Sequence, residues 1–310
     1  MAGADYEVEM EQRRSLPPGG TIEHWPMADG WPVRLARWEG ARGTILFANG
    51  RGNFIEIFAE AIWDWTERGW GVIAFDWRGQ GGSGRLGRTP LHGHASDFAP
   101  WVADLVTLVG LAAELPGPLV GVGHSTGGHL WLRALAEGEV RVARVALVSP
   151  MLGIARGNAA ARALTAVMVR LGFGGTFALG QHARLSAAKE ELRAAALTSD
   201  AARQTDEAWW LASAPELALG GGTWGWLHAA FGSIAGLHRN GALEAITIPV
   251  HAELAGEERV TDTRAAIRAV VRPRGATYVV NDGERHELLR EADVTRTVVL
   301  GRIAAFLEQA

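Results

Sequence analysis

The stretch of this 310-residue chain best equipped for chemistry is Leu119-Val120-Gly121-Val122-Gly123-His124-Ser125-Thr126-Gly127-Gly128-His129. A short apolar run suited to a buried strand stops at Gly-His-Ser-Thr-Gly, and the helix-compatible Leu130-Trp131-Leu132-Arg133-Ala134-Leu135-Ala136 follows. With 40 glycines in the chain, a bare G-x-S-x-G recurs by chance. A strand before it and a helix after it make it a turn that lifts a serine hydroxyl clear of a sheet. Such a turn is strained and needs neighbours without bulk, here Gly123 and Gly127. It also aims a helix N-terminus at the reaction centre. A serine used this way attacks a carbonyl, and needs a base for its proton, an acid to orient that base, and donors for the oxyanion.

For the base, His286 lies in Asn281-Asp282-Gly283-Glu284-Arg285-His286-Glu287-Leu288, directly after the last strand-like run. His124 and His129 flank the turn and read as wall or helix residues, and His251 falls inside a strand. For the acid, three carboxylates compete in Gly256-Glu257-Glu258-Arg259-Val260-Thr261-Asp262, and spacing does not choose among them. Asp262 has the look of a helix N-cap. For the oxyanion, Asn49-Gly50-Arg51-Gly52-Asn53 follows the first core strand, and its backbone N–H groups, with that of Thr126, are placed to converge on the developing charge.

These residues must be held by a regular frame. Thr21–Trp25 and Trp31–Trp38 suit an antiparallel hairpin at a sheet edge. Strand-like runs then fall at 44–48, 71–76, 119–123 and 142–148, with amphipathic helices at 54–68 and 98–115. That alternation predicts a mostly parallel, doubly wound α/β sheet, in which functional groups gather beyond the carboxyl ends of the strands. It breaks after Pro150 and returns at Ile246–Leu254, with a helix at 263–271, a strand at 277–280 and a closing helix at 293–307. The expected division is a flexible leader over 1–18, core over 19–150, a helical insertion over 151–245 and core again over 246–310. Within the insertion, helices are expected near 159–171 and 187–195. Its Trp209, Trp210, Trp224 and Trp226 either line an apolar acyl channel, dock on membrane lipid, or pack the insertion onto the body.

Bulk properties narrow the field. Hydrophobic content of 48% and charged content of 21% are those of a globular protein with material for a core. A net charge of −4 without any basic block gives no reason to expect nucleic acid binding. Cysteine is absent, which excludes a disulfide framework, a thiolate nucleophile and a cysteine metal site. The N-terminal residues 1–14 are polar and acidic, and no run reaches the length of a membrane span, so a cytoplasmic protein is expected.

Four blocks give the chain a resemblance. They are Asn49-Gly50-Arg51-Gly52, the run Phe75-Asp76-Trp77-Arg78-Gly79-Gln80-Gly81-Gly82-Ser83-Gly84, Gly123-His124-Ser125-Thr126-Gly127, and Gly283-Glu284-Arg285-His286. In them the chain resembles the α/β-hydrolase fold, and within it the monoacylglycerol lipase and bacterial lysophospholipase group of serine hydrolases. The resemblance implies a helical cap inserted after the sixth strand, Ser125 as nucleophile and His286 as base. It implies that the D-x-R-G-x-G-x-S-G run is a structural loop. The family's acid directly precedes an Arg-Val-like pair, which puts Glu258 in the role before Arg259-Val260, with Asp262 as fallback. Most relatives have Asp there.

The oxyanion hole implied is made by the N–H groups of Arg51 and Thr126. Asn49 stands where the monoacylglycerol lipases have His, and the Gly-Arg pair is closer to the bacterial lysophospholipases, where an arginine would meet a phosphate. The implied activity is hydrolysis of a lipid-like monoester, a lysophospholipid or a monoacylglycerol, through an acyl-enzyme, with no metal or organic cofactor. A transient contact of the cap with a membrane surface is a further expectation. Aminopeptidase, thioesterase or acyltransferase chemistry on the same triad, and a non-catalytic ligand-binding protein on the same fold, are the alternatives.

Overall fold

Runs of four to seven residues, apolar in the central strands and mixed at the β1 edge, form the strands β1 (Thr21–Pro26), β2 (Pro32–Trp38), β3 (Thr44–Ala48), β4 (Gly71–Phe75), β5 (Leu119–His124), β6 (Val145–Val148), β7 (Val250–Ala255) and β8 (Thr277–Asn281). The helices are α1 (Ala59–Glu67), α2 (Ala99–Ala112), α3 (Thr126–Ala136), α4 (Ala159–Arg170), α5 (Ala187–Leu197), α6 (Asp206–Ser213), α7 (Trp224–Leu237), α8 (Thr263–Val270) and α9 (Asp293–Leu307). The computed structural model describes residues 10, 12–155 and 157–310. All eight strands join one sheet in the order β1-β2-β4-β3-β5-β6-β7-β8. β1 and β2 pair antiparallel at one edge, with Trp25 opposite Val33, and β2 pairs antiparallel with β4. Every other pairing is parallel.

The parallel strands are apolar on both faces because both faces are covered. Ile45, Phe47, Val72, Ala74, Val120 and Val122 point to one side, where Ile62 and Trp65 of α1 and Leu300, Ile303 and Leu307 of α9 bury against them. Leu46 and Ile73 point to the other, toward Trp101, Leu105 and Leu108 of α2, Leu130 and Leu132 of α3, and Ala266 and Val270 of α8. β7 starts at Val250 rather than Ile246, since Pro249 has no N–H for a ladder.

Between β6 and β7 the chain leaves the sheet and forms α4 to α7. The two helices expected from sequence are α4 and α5; α6 and α7 hold the tryptophans, which do not share one channel. Trp224 and Trp226 are buried. Trp210 donates its indole N–H to Arg13 O (3.3 Å), and Trp209, 39% exposed, lies beneath the Arg14 guanidinium. Of the expected leader, residues 1–9 and 11 lie outside the described residues, and the remainder is packed down rather than free. Arg13 forms a buried ion pair with Asp206 (2.6 Å), Trp63 donates to Ser15 O (2.9 Å), and Trp38 donates to Pro17 O (2.8 Å). Among the described residues no helix is long and apolar enough to cross a membrane.

The glycine-rich run after β4 is a braced loop. Asp76, fully buried, accepts N–H groups from Ile55 (3.0 Å) and Gly82 (2.8 Å) and pairs with Arg34 (3.0 Å). Gly81 has φ 49°, and a Cβ there would sit 2.4 Å from the Asp76 carboxyl carbon. Arg78 crosses to α2, where Asp104, 1% exposed, accepts from its Nη2 and Nε at 2.6 and 2.9 Å, and its guanidinium also donates to Asp29. Removing one member of a buried pair leaves the other uncompensated. Arg78→Ala is therefore expected to lower the unfolding free energy by about 3–5 kcal/mol in urea melts; a loss under about 1 kcal/mol would place the pair among weak surface bridges.

Candidate active site

β5 lies inside the sheet between β3 and β6, and its carboxyl end delivers Ser125. Ser125 has φ 51° and ψ −114°, a strained conformation for a residue with a side chain. The reversal is tight: a Cβ on Gly123 would lie 2.7 Å from Gly128 Cα, and one on Gly127 would lie 2.0 Å from Ala48 O. The Ser125 N–H bonds Val148 O (2.9 Å), and its carbonyl accepts from His129 (3.1 Å) and Met151 (2.9 Å). Surrounding backbone thus fixes the turn from three sides.

The loop after β8 brings His286 onto this serine. His286 Nε2 is 3.0 Å from Ser125 Oγ, and Nδ1 is 2.6 Å from Glu258 Oε2. Glu258 Oε1 accepts the N–H groups of Val260 (2.7 Å) and Thr261 (3.1 Å), which hold the carboxylate toward the ring. Burial opposes the charge on Glu258, but the His286 charge and hydrogen bond and these two N–H groups outweigh it and hold the carboxyl well below its usual range. Burial likewise opposes an imidazolium at His286; the charge and hydrogen bond of Glu258, with the charge of Glu287, outweigh it and raise the ring above its ordinary 6.5. The other two acids of the loop go elsewhere. Asp262 Oδ1 caps α8 through Ala265 N–H (2.9 Å), and Glu257 is exposed beside Arg259.

His124 is buried between Phe58 and His286, with ring centroids 5.4 and 5.1 Å away. Burial and the neighbouring His286 charge push it down to about 3, so it stays neutral. It forms a wall, as does His129, whose Nε2 is 2.7 Å from Ser233 Oγ.

The loop after β3 lies beside the serine: a Cβ on Gly50 would be 3.1 Å from Ser125 Cβ. Thr126 opens α3, so its N–H has no carbonyl one turn back within the helix. The 49–53 loop is pinned by supports that sequence reasoning missed. Asn49 Nδ2 donates to Phe75 O (3.1 Å), Trp77 donates to Asn49 O (2.8 Å), Gln80 Oε1 accepts from Gly52 N–H (2.6 Å), and Asn53 Nδ2 donates to Glu287 (3.2 Å). Only the presence of Gln80 in the glycine-rich run and of Glu287 beside His286 hinted at them. The Arg51 guanidinium is committed to the inserted segment, donating to Gly220 O (2.8 Å) and lying 5.0 Å from the Trp226 ring. Burial, with the charge of Arg193, lowers it to about 10.

The sheet order, the elbow at the end of β5 and the histidine in the loop after the last strand are those of an α/β-hydrolase fold. Its architecture matches a soluble variant of monoglyceride lipase from Saccharomyces cerevisiae, solved in complex with a substrate analog, at a TM-score of 0.73 and 17% identity, covering 96% of each chain. Residues 39–293 match the model of the serine aminopeptidase, S33 family, and the chain belongs to that family. It is similar to lysophospholipase L2 of Escherichia coli strain K12, 28% identical over 296 residues that cover 91% of this chain and 85% of that one. It is also similar to the probable lysophospholipase L2 of Haemophilus influenzae, 26% identical over 273 residues, 86% of this chain and 84% of the other.

A base must be neutral to accept a proton, so activity should rise with pH through the raised pKa of His286. Glu258→Gln removes the charge that raises it while burial remains. The acid limb of kcat/KM is then expected to move to lower pH, and kcat to fall by about 10²–10⁴. A pH–rate profile of the variant that overlays that of the parent chain would exclude Glu258 from the role.

Proposed function

We propose that the protein is a serine carboxylic-ester hydrolase acting on lipid-like monoesters, lysophospholipid or monoacylglycerol, through an acyl-enzyme. Ser125 is the nucleophile, His286 the base, Glu258 the acid that orients it, and the N–H groups of Arg51 and Thr126 hold the oxyanion. The observation that carries this is the continuous line Glu258–His286–Ser125, at 2.6 and 3.0 Å, ending on a serine held at a positive φ.

His286 Nε2 takes the hydroxyl proton as Oγ attacks the ester carbonyl, and the buried Glu258 carboxylate stabilises the imidazolium that results. The imidazolium then protonates the leaving alcohol. Water, deprotonated by the same nitrogen, attacks the acyl-enzyme and frees the acid and Ser125. The activities named for the two lysophospholipase relatives and for the yeast lipase support a lipid monoester as substrate. The name of the family keeps a second reading open, cleavage of an N-terminal peptide bond by the same line of groups.

Residues 151–245 are, in this reading, a cap over the strand ends. The cap surface we assign to lipid is the outer side of α4 rather than the tryptophans. Leu164, Val167 and Leu171, spaced for one helical face, are 44%, 51% and 65% exposed, with Phe173 at 47% nearby. A cytoplasmic location is part of the proposal, in keeping with a chain without cysteine.

Ser125→Ala is expected to lower kcat on p-nitrophenyl acyl esters by about 10⁶ and to abolish fluorophosphonate labelling; retained turnover would overturn the assignment. In a panel of p-nitrophenyl esters, monoacylglycerols, lysophospholipids and aminoacyl-p-nitroanilides, the long-chain monoesters should be turned over most efficiently, and a preference for the anilides would favour the peptidase reading. Burial of one such side chain is worth about 1.5–3 kcal/mol, so Leu171→Asp should slow hydrolysis of vesicle-borne monoester by about tenfold or more while sparing p-nitrophenyl acetate. Equal effects on both substrates would dissociate this face from lipid.

A further inference from the structure

Directly after His286 the chain places a second carboxylate, Glu287, 1% exposed. Its two oxygens serve different elements. Oε2 takes Arg290 Nη1, and Oε1 takes Nδ2 of Asn53 at 3.2 Å, a bond between residues 234 positions apart. Asn53, 8% exposed, closes the loop after β3: its N–H bonds Gly50 O at 3.3 Å, and its Oδ1 is 2.5 Å from the place a Cβ on Gly50 would take. That same place is 3.1 Å from Ser125 Cβ. A single carboxamide therefore spans from the turn beside the nucleophile to the loop that carries the base.

The far side of Glu287 is anchored. Its N–H bonds Leu197 O (2.8 Å), and Arg290 Nη2 donates to Arg203 O (2.7 Å). Arg203 in turn pairs with Glu60 of α1 (2.7 Å). Burial opposes the charge on Glu287, and Arg290 first, then the imidazoles of His124 and His286 and the Asn53 amide, outweigh it and hold the carboxyl below its usual range. An ionised carboxylate only accepts hydrogen bonds, so the Asn53 amide must turn its NH2 to Glu287 and its oxygen to Gly50. Taking such a charge out of water is costly, and well-packed apolar residues are often as stable in its place.

We propose that Glu287 is a positioning residue for the oxyanion loop, acting through Asn53 to keep the N–H of Arg51 in register with His286 and Ser125. The proposal rests on the assignment of Ser125, His286 and the Arg51 N–H given above. It separates the two carboxylates of the site: Glu258 serves the base, and Glu287 serves the oxyanion.

Asn53→Asp sets carboxylate against carboxylate in nearly the same volume. It is expected to lower kcat by about 10²-fold with KM changed less than about threefold, since the interaction lost is made chiefly in the transition state. The inhibition constant of an alkyl trifluoromethyl ketone, whose serine adduct carries an oxyanion, should rise in proportion to the loss. Asn53→Asp combined with Glu287→Gln reverses the direction of the bond and preserves total charge, and should recover most of both losses. If Asn53→Asp does not fold, Asn53→Ala makes the same test, with kcat and inhibitor affinity expected to fall together. A folded single variant with kcat and inhibitor affinity unchanged, or a folded double variant with no recovery, overturns the proposal. Failure of the underlying assignment is read separately, from a Ser125→Ala protein that still hydrolyses ester.

Discussion

The site depends on one close approach, that of the start of α3 to β5 across Gly123 and Gly128 and to the end of β3 across Gly127. Backbone meets backbone there at distances that leave no room for a Cβ. The contact forces Ser125 into a conformation costing about 1–3 kcal/mol, which persists only where the surroundings over-determine it. They do so through the sheet. β5 is clamped between β3 and β6, the serine N–H is tied to β6, and its carbonyl holds both the first turn of α3 and the chain leaving β6. The same approach lays the loop after β3 beside the serine, because that loop leaves the strand next to β5. The strained serine and the loop beside it, to which the proposal assigns nucleophile and oxyanion hole, are thus two outcomes of a single packing contact.

Around this contact, four carboxylates differ in character through their surroundings alone. Asp76 is buried with Arg34 among loop N–H groups, and burial dominates, raising it to about 6. Glu258 is mostly buried too, yet the imidazole and two N–H groups draw it down. Glu287 is held ionised by Arg290 and spans two loops. Asp262 stays near the surface and caps a helix. Each role follows from which donors the fold brings to the carboxylate, since the group itself is nearly the same in all four.

That dependence on donors marks how far the sequence can be read. The strands, their alternation with helices and the turn at Ser125 are legible because they rest on local periodicity and on glycine spacing. His286 is legible because it directly follows the last strand. The choice among Glu257, Glu258 and Asp262 was not legible from spacing, because it turns on the path of the backbone from 256 to 262, which aims one side chain at the ring and another at a helix N-terminus. The Asn53–Glu287 bond joins residues whose proximity exists only once the sheet is closed. Which of their open placements the tryptophans of the inserted segment take was not legible for a related reason. Their clustering along the chain says nothing of separation in space, and Trp210 and Trp226 meet different partners. Nor does the sequence show where the Arg51 guanidinium goes, since Gly220 O and the Trp226 ring meet it only in the folded chain.

The hydroxyl and the imidazole that share a proton are 161 residues apart, and the strands between them must pair before the two can meet. Chains are made from the N-terminus, so a nascent polypeptide can complete the turn at Ser125, and even bury it, long before residue 286 has been synthesised. Such an intermediate owns a strained serine without its imidazole partner. Under the proposed assignment, reactivity is therefore the last property the molecule acquires during its own synthesis, and among the first it loses when the C-terminal strands come away.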